Sequence, residues 1–456
     1  MKYIQEKPKN IPVVCKKNVV IVGGGPAGFI AAIAAARNGV NVILIEKSSF
    51  IGGTITNGPL EAIMTFHDSD KQVIKGIAQE FVEKLIQAGG SPGHVKDDVE
   101  YCKTITPFDA EVVKLVALQM LEQAGAALLL QTMVVDVVKE KDEVQAVIIE
   151  SKSGRQAIQG DIFIDCSGDG DLSVLAGAEF DKGRPKDALS QPMTLLFKAG
   201  GVEVKRLINY VKENKDEFEI ESNPDDFAEN QIIHLWGFPK VLGDGFEKKI
   251  LSLKRRELHM VTTMRNGEVI INFTRVGGDG TNINDITFAQ VQATKQAHEL
   301  IALFRDNVPG FENAYIMYTG NIGVRETRRI KGKYVLSEED ILTGRKFDDV
   351  VARGAFPIDI HQPDSDSMEF KKVAKAYDVP YGCLVVENLK NILVAGRCIS
   401  VSHQALASVR ITATCMAVGQ SVGTAAALCI KQGIESDQLD VKTLQSILIE
   451  QGVSLH

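Results

Sequence analysis

The fold is decided by a short stretch near the N-terminus, Val20-Ile21-Val22-Gly23-Gly24-Gly25-Pro26-Ala27-Gly28. The β-branched run from Asn18 to Val22 predicts a strand that ends at three consecutive glycines. An alanine-rich segment with helical periodicity follows from Pro26 to Asn38, and a second apolar run spans Asn41 to Ile45. The order strand, tight turn, helix and strand predicts a βαβ unit with two parallel strands.

The glycines of this stretch have the spacing G-x-G-x-x-G, and each has a mechanical task. Gly23 allows the tight turn, Gly25 lets the backbone approach a pyrophosphate, and Gly28 lets the helix pack closely on the strand. Pro26 and Ala27 stand at a helix N-terminus, where free amides and the positive dipole end attract phosphate. The spacing therefore predicts a dinucleotide site.

An acidic residue completes this pattern. Glu46 ends the second predicted strand, next to Lys47, and its carboxylate can accept the ribose hydroxyls of an adenosine. A 2′-phosphate would be repelled there, so NADP is disfavoured. The glycine pair Gly52-Gly53, followed by Thr54, extends the likeness: the chain here resembles the glutathione-reductase-like flavoproteins. That resemblance implies FAD, with the glycine pair close to the pyrophosphate and ribityl chain.

Two later segments carry the same resemblance. The segment from Asp161 to Leu172 resembles the strand and turn that return to FAD in this superfamily, and Asn391 to Arg397 resembles its last strand. The helix expected from about Ser408 to Lys431 would point its N-terminus at the isoalloxazine ring. From these segments the resemblance implies cofactor contacts by Ser167, Gly168, Asp169, Gly396 and Arg397. Relatives often carry Gly-Asp where this chain has Gly396-Arg397.

The change of amino-acid composition along the chain predicts a discontinuous domain. From about Ser190 to about Tyr381 aromatic, proline and charged residues occur in irregular order, with a helix expected from Asp285 to Arg305. Near Asn391 the alanine, glycine and valine texture of the first part resumes. We therefore predict an α/β, Rossmann-type FAD-binding domain from 1–189 plus 385–456, with an inserted α+β substrate or cap domain at 190–384.

The second half of the chain gives a closer resemblance. Its motifs, in chain order, are Ile322 to Gly332 (IGVRETRRIKG), Asp340, Pro357 to His361, Tyr381, Asn391 to Ser400 and His403 to Arg410. Together they resemble a large bacterial family of FAD-dependent oxidoreductases. The resemblance implies an FAD enzyme and names no substrate.

Five side chains are candidates for catalysis, because flavin enzymes rely on the protein for orientation, charge and proton management. Arginines can clamp an anionic or polyhydroxy substrate, and histidines can exchange a proton. The candidates are His403, His361, Arg325, Arg328 and Arg410. His403 ranks first, since it lies between the last strand and the flavin-facing helix, and His361 ranks second. Each histidine could equally be structural, and the arginines with Glu326 could form an ion-pair network.

The remaining histidines lack a supporting pattern, which predicts that they are non-catalytic. They are His67, His94, His234, His259, His298 and His456.

The leading hypothesis is a dehydrogenase or reductase that moves hydride between flavin N5 and a small polar substrate, sugar-like or carboxylated. No second G-x-G-x-x-G follows a strand, so a dedicated NAD(P)H domain is disfavoured. Monooxygenase chemistry is disfavoured because Leu175 stands where the Asp-Gly-x-x-Ser motif of aromatic hydroxylases expects arginine. A dinucleotide-using enzyme like the thiazole-forming proteins is a further hypothesis, and so is a flavin-binding interaction protein without turnover.

Composition bounds the partners and the location. The 456 residues carry a net charge of −8, which argues against nucleic acid and anionic membranes as partners. The segment Met1 to Lys17 has no signal-peptide core, and no apolar run approaches bilayer length. The seven cysteines contain no C-x-x-C pair, so a metal site and a redox dithiol are disfavoured. We expect a soluble cytoplasmic enzyme, which could be a homo-oligomer, with a small-molecule substrate and a separate electron acceptor or donor.

Overall fold

The βαβ unit expected at the N-terminus lies at the centre of the computed structural model, which describes residues 4, 8–99, 101–365 and 367–456. Residues 1–3 and 5–7 of the opening segment lie outside the described residues. Strand Val13–Val22 pairs in parallel with strand Val42–Ile45, and helix Pro26–Arg37 connects them. The predicted unit is confirmed.

The central sheet has seven strands, and five of them are parallel. In spatial order the parallel strands are Ala127–Leu129, Val42–Ile45, Val13–Val22, Gly154–Asp165 and Ile392–Val394. Glu143–Ser151 and then Met133–Glu140 continue the sheet in antiparallel fashion. The parallel Rossmann-type core is therefore confirmed, and the chain returns to it near its C-terminus, where Ile392 pairs with Phe163.

Two helices pack tightly on each other over this sheet. A Cβ on Gly419 would lie 2.3 Å from the carbonyl oxygen of Ala27, and one on Gly423 would lie 2.2 Å from that of Ala31. Only glycine allows this approach of helix Thr412–Gln432 to helix Pro26–Arg37. The contact places the start of the second helix near the glycine turn.

The helix expected from about Ser408 to Lys431 is present as Thr412–Gln432, and a separate short helix precedes it. His403–Val409 ends at Arg410, and Thr412–Gln432 begins after Ile411, whose backbone is extended. The predicted helix is therefore confirmed, and only its start was placed four residues too early. The break gives the second helix an N-terminus of its own.

The expectation that no apolar run could cross a bilayer also needs correction. Helix Thr412–Gln432 is long and apolar enough by length and composition, with mean hydropathy 1.5. However, 94% of its apolar window is buried inside the protein, where it packs on helix Pro26–Arg37, strand Val350–Gly354 and the central sheet. We therefore interpret it as the core helix of a globular fold.

A second, antiparallel sheet of five strands follows the first. In spatial order its strands are His234–Gly237, Leu258–Thr262, Val269–Asn272, Phe197–Gly200 and Tyr315–Thr319. One face packs on helices Val204–Glu213, Pro239–Glu247 and Ile283–Asn307 in a separate apolar core. That core draws on residues 197–314, a shorter stretch than the predicted insert 190–384, because residues 330–386 join the core of the first sheet. The domain boundaries stay a prediction.

Shorter elements complete the described chain. The remaining α-helices are Thr54–Asn57, Ile77–Gln87, Ala110–Ala124, Asp171–Leu175, Glu338–Thr343 and Val441–Glu450. Small sheets pair Ala62–Met64 and Val95–Lys96 with Thr104–Pro107, His67–Asp68 with Lys71–Gln72, Phe180–Lys182 with Arg328–Ile330, Val350–Gly354 with Tyr377–Pro380, and Ile358–His361 with Met368–Lys371.

Candidate active site

A cavity of about 830 Å³ lies between the carboxyl ends of the parallel strands and the second sheet. This position at the strand ends is where open α/β sheets bind their ligands. The end that we call the nucleotide end is lined by Gly23, Gly25, Glu46, Gly168, Asp169 and Arg397. The end that we call the arginine pocket is lined by Tyr101, His259, Arg325, Asp359, His361 and Arg410.

The three glycines of the opening turn have the geometry that their predicted tasks require. Gly23 has φ +100°, and a Cβ there would lie 2.3 Å from the carbonyl oxygen of Cys166. A Cβ on Gly28 would lie 1.8 Å from the carbonyl oxygen of Gly23. At Gly25 the nearest atom to a Cβ would be Cα of Gly53, at 4.0 Å, so this backbone faces open space. That space is a cradle which any side chain would fill.

The Glu46 carboxylate is fixed beside this cradle. Its Oε2 accepts the backbone N–H of Gly24 at 2.6 Å, and its Oε1 accepts that of Ser48 at 2.7 Å. Each carboxylate oxygen has a further lone pair, so both can still accept a hydroxyl. The geometry suits an adenosine ribose.

Asp169 and Arg397 join the two later segments. Nη2 of Arg397 donates to Oδ1 of Asp169 at 3.0 Å, and the Thr327 hydroxyl donates to the same oxygen at 2.9 Å. Burial on its own would raise the pKa of Asp169, but the charges of Arg397 and Lys47 outweigh it and hold the pKa below its ordinary value. Nη1 of Arg397 is buried and has no partner in the described part of the chain. It is therefore a donor available to a bound cofactor.

These observations fit FAD. The cradle at Gly25, the acceptor at Glu46 and the free donor on Arg397 form one continuous wall, and helix Thr412–Gln432 begins at the cavity without a side-chain cap. Its free amides favour negative charge. All the predicted cofactor contacts line the cavity except Gly28 and Gly52, which pack behind it. The contact of each of these residues with FAD stays a prediction.

Arg325 is a buried cation in the arginine pocket, and no carboxylate among the described residues forms an ion pair with it. Its Nη1 donates to the carbonyl oxygen of Pro192 at 2.7 Å and to the hydroxyl of Thr194 at 2.5 Å. Both partners are neutral. Burial, and after it the charge of Arg410, lower the pKa of Arg325 to about 9.

Asp359 is the buried carboxylate of the pocket, and three groups share its Oδ2. Tyr101 donates its hydroxyl at 2.5 Å, His361 Nε2 lies at 3.3 Å, and Arg410 Nη2 lies at 3.6 Å. Burial on its own would raise the pKa of Asp359, but these contacts outweigh it and hold the pKa well below its ordinary value. Burial, and after it the charge of Arg325, lower the pKa of His361 to about 3. The pocket therefore holds an ionised carboxylate and a neutral imidazole near pH 7.

The structure brings Arg325, His361 and Arg410 together, but it places His403 and Arg328 elsewhere. His403 is buried, and its Nδ1 lies 2.8 Å from Oε1 of Glu326, which also pairs with Arg329. Arg328 donates to Asp171 at 3.0 Å. Neither side chain is among the described residues of the cavity wall. Membership of an ion-pair network therefore describes His403 better than contact with substrate.

Sequence reasoning missed four side chains of this region. His234 and His259 line the cavity, although neither stands in a recognisable motif, and Tyr101 and Asp359 complete the pocket. A signal did exist in the strand Leu258–Thr262, where buried and half-buried residues alternate. Alternation of this kind predicts a strand with two different faces, and His259 falls on the face opposite the apolar core.

Comparisons with known proteins agree with the cofactor assignment. A family model described as FAD dependent oxidoreductase matches residues 18–448. A segment of 112 residues, 24% of this chain, is 34% identical to 17% of the probable fumarate reductase Ifc3 of Shewanella frigidimarina. Another of 85 residues, 18% of this chain, is 39% identical to 12% of the cinnamate reductase of Clostridium sporogenes. The chain thus matches less than a fifth of the length of either relative.

A solved structure shares the fold. The p-nitrophenol 4-monooxygenase PnpA of Pseudomonas putida superimposes with a TM-score of 0.50 and 12% identity, over 96% of this chain and 85% of that one. At this identity the likeness concerns the fold alone. Because the family model covers most of the chain and the cavity fits the cofactor, the chain belongs to the FAD-dependent oxidoreductase family and is an enzyme that uses FAD.

Proposed function

We propose that the protein is a dehydrogenase or reductase for a small carboxylate-bearing substrate, bound in the arginine pocket. The observation that carries this proposal is Arg325, a buried guanidinium whose hydrogen-bond partners are neutral oxygens. Buried charges in proteins are ordinarily paired, so an unpaired one predicts a ligand of opposite charge. A planar carboxylate matches the fork of guanidinium donors.

The charges in the pocket support an anion over a neutral sugar. Arg325 and Arg410 contribute two positive charges, whereas Asp359 contributes one negative charge and also accepts from Tyr101. His361 is neutral near pH 7 because its pKa is lowered to about 3. The described side chains of the pocket wall therefore carry one more positive than negative charge, and a substrate carboxylate would balance it.

When bound, FAD supplies the two-electron acceptor or donor at flavin N5, and the chain's own groups orient the substrate beside it. Arg325 and Arg410 hold the carboxylate. The Asp359 carboxylate contacts Arg410 and His361, and so sets the positions of these two side chains. Gly23 to Gly28, Glu46 and Arg397 hold the cofactor.

The relatives' names agree with an acid as substrate. The proteins from Shewanella frigidimarina and Clostridium sporogenes are named for fumarate and cinnamate, which are both carboxylates. Each match covers less than a fifth of the named enzyme, so the proposed substrate class depends on the arginine pocket of this chain.

Anaerobic flavin spectroscopy tests the proposal. Oxidised enzyme is titrated with 2-hydroxy acids such as lactate and malate, and photoreduced enzyme with unsaturated acids such as fumarate. The amide of each acid is the matched control, since it keeps the shape and removes the charge. We expect an acid, and not its amide, to change the redox state of the flavin. Flavin that responds to amides or sugars and to none of the acids would contradict the proposal.

The cellular setting is also proposed. All seven cysteines are free thiols, which supports a reducing compartment such as the cytoplasm. The second electron-transfer partner and a homo-oligomeric state stay predictions.

A further inference from the structure

A hydrogen-bonded chain of three side chains leads from Asp97 to the cavity wall. Oδ1 of Asp97 lies 2.7 Å from Nδ1 of His234, and Nε2 of His234 lies 3.1 Å from Nδ1 of His259. Asp97 and His234 are 1% and 0% exposed, whereas His259 is half-buried and lines the cavity. The chain therefore connects a fully buried carboxylate with the space for substrate.

The fold holds each member of this chain in place. His234 and His259 lie on adjacent antiparallel strands, in which His259 pairs with Trp236, so the two histidines are diagonal neighbours on one face. Oδ2 of Asp97 accepts the backbone N–H of Cys102 at 3.3 Å and the thiol of Cys102 at 3.2 Å. The arrangement is built into the second sheet and needs no ligand to form.

The carboxylate fixes the tautomers of both rings. An ionised Asp97 can only accept, so His234 donates Nδ1–H to it and keeps a lone pair on Nε2. That lone pair accepts Nδ1–H from His259, which leaves a lone pair on Nε2 of His259. This Nε2 atom has no hydrogen-bond partner in the described part of the chain. Burial, and after it His234 and Arg255, lower the pKa of His259 well below its ordinary value, so the resting ring is neutral.

We propose that His259 is the catalytic residue that exchanges a proton with the substrate, and that His234 and Asp97 are the positioning residues that make this possible. The inference deepens the proposed function and rests on it. His259 is part of the wall of the arginine pocket, and its ring centroid lies 5.3 Å from that of Tyr101, whose hydroxyl binds Asp359.

The proton step balances with the proposed redox chemistry. In the oxidation of a hydroxy acid, the substrate O–H bond breaks and its proton forms a bond to Nε2 of His259. The electron pair of the C–H bond leaves with its hydrogen as hydride to the oxidised flavin, and a C=O bond forms. His259 can pass Nδ1–H towards His234, which brings the positive charge next to Asp97. In reduction the same proton returns from Nε2.

His361, the second imidazole of the pocket, is less suited to accept a proton. It lies in the field of Arg325, as His259 lies in that of Arg255, but its carboxylate neighbour Asp359 is already shared with Tyr101 and Arg410. Protonated His361 would add a charge to a pocket that is already positive. The chain behind His259 instead ends on Asp97, which no arginine or lysine pairs with among the described residues.

Nuclear magnetic resonance of ¹⁵N-histidine-labelled holoenzyme tests the chain independently of turnover. We expect neutral His234 and His259, both protonated on Nδ1, with a strongly deshielded proton between His234 and Asp97. His259→Gln and His234→Gln assign the signals, and Asp97→Asn should remove the deshielded proton. A charged His259 near pH 7, or one protonated on Nε2 alone, would overturn the inference.

Stopped-flow flavin reduction by the acid that bleaches the wild-type enzyme tests the catalytic role. We expect His259→Gln to slow reduction about 10²- to 10³-fold while its Kd for that acid stays near wild type, because general acid–base catalysis contributes on this scale. Asp97→Asn should give a smaller loss, and His298→Gln, at an exposed position, should give none. Wild-type rates in His259→Gln would sink the proton step and leave the proposed function intact. If no acid changes the redox state of the wild-type flavin, the proposed function fails and the proton step fails with it. The tautomers measured by nuclear magnetic resonance still show whether the hydrogen-bonded chain exists.

Discussion

The nucleotide end and the arginine pocket are two ends of one cavity, and they are built in different ways. The nucleotide end consists mostly of backbone from one continuous βαβ unit, in which Gly23, Gly25 and Gly28 shape the turn. The arginine pocket consists of side chains from segments far apart in the chain, including Tyr101, His259 and Arg410. The first end depends on local geometry, and the second depends on the packing of two sheets.

This difference predicts how each end fails on mutation. A backbone cradle is sensitive to the addition of a single carbon, because neither neighbour can move without disturbing the strand or helix behind it. In a pocket built of side chains, an uncharged residue of similar size leaves the fold intact but removes the charge that the ligand needs. Substitutions at Gly28, Arg325, His403 and His361 test that contrast.

The largest effect is expected at Gly28. Gly28→Ala would place a Cβ 1.8 Å from the carbonyl oxygen of Gly23, so helix Pro26–Arg37 must shift. We expect loss of bound FAD and a free energy of unfolding lowered by about 3 kcal/mol, at the upper end for overpacking. FAD absorbance of purified protein and its Tm measure both.

Gly25→Ala is the matched control, because its Cβ would meet no atom closer than 4.0 Å. The fold should hold, whereas the side chain enters the cradle and weakens FAD binding. A Gly28→Ala protein as yellow and as stable as wild type would show that the turn is not a rigid element.

The same contrast explains what sequence could predict. The βαβ unit, Glu46 and the glycine pair were predictable because their spacing along the chain fixes their spacing in space. Arg325 and His361 were predictable only through a family resemblance, and the contacts of Asp359 with Tyr101 and Arg410 require the tertiary fold. His259 was missed because it stands in no motif, and the alternation in its strand indicates a face of the sheet but no function. The first rank of His403 stays a prediction, and the contact of its side chain with Glu326 could not be read from its position in the chain near the flavin helix.

The next prediction concerns Arg325. Arg325→Gln removes a buried charge whose described hydrogen-bond partners are neutral oxygens, so the substrate-free protein should keep its Tm or gain slightly. Binding of a carboxylate substrate should weaken about 10²-fold, because the charged contact is lost. Titration of flavin absorbance with the acid measures the Kd.

Arg328→Gln is the matched arginine control, since Arg328 is paired with Asp171 and its own side chain does not line the cavity. Its Kd should stay near wild type. Equal weakening in both variants would point to general loss of positive charge and remove the specific role of Arg325.

A smaller effect is expected at His403. His403→Ala removes the hydrogen bond to Glu326 and leaves a buried carboxylate oxygen with fewer partners, which costs about 1–3 kcal/mol of stability. His403→Asn should recover much of the loss, because its amide can replace Nδ1–H. Flavin reduction by substrate should fall much less than in His259→Gln. Loss of nearly all turnover in a well-folded His403→Asn protein would restore His403 as the catalytic histidine.

The smallest effect is a pH dependence of stability at the arginine pocket. His361 has a folded pKa of about 3 against an ordinary value of 6.5, so the unfolded chain takes up a proton between these values and the folded chain does not. His361 therefore does not reduce the free energy of unfolding above pH 6.5. As the pH falls below 6.5, the free energy of unfolding falls by about 1.4 kcal/mol per pH unit for this one proton. Between pH 6 and pH 5, His361→Asn should lose about 1 kcal/mol less than wild type in urea unfolding of FAD-loaded protein. The exposed His298→Asn variant should follow the wild-type curve. If the free energy of unfolding of His361→Asn depended on pH as that of wild type does, His361 would be charged in the folded pocket. The pocket would then carry one more positive charge for the substrate to balance.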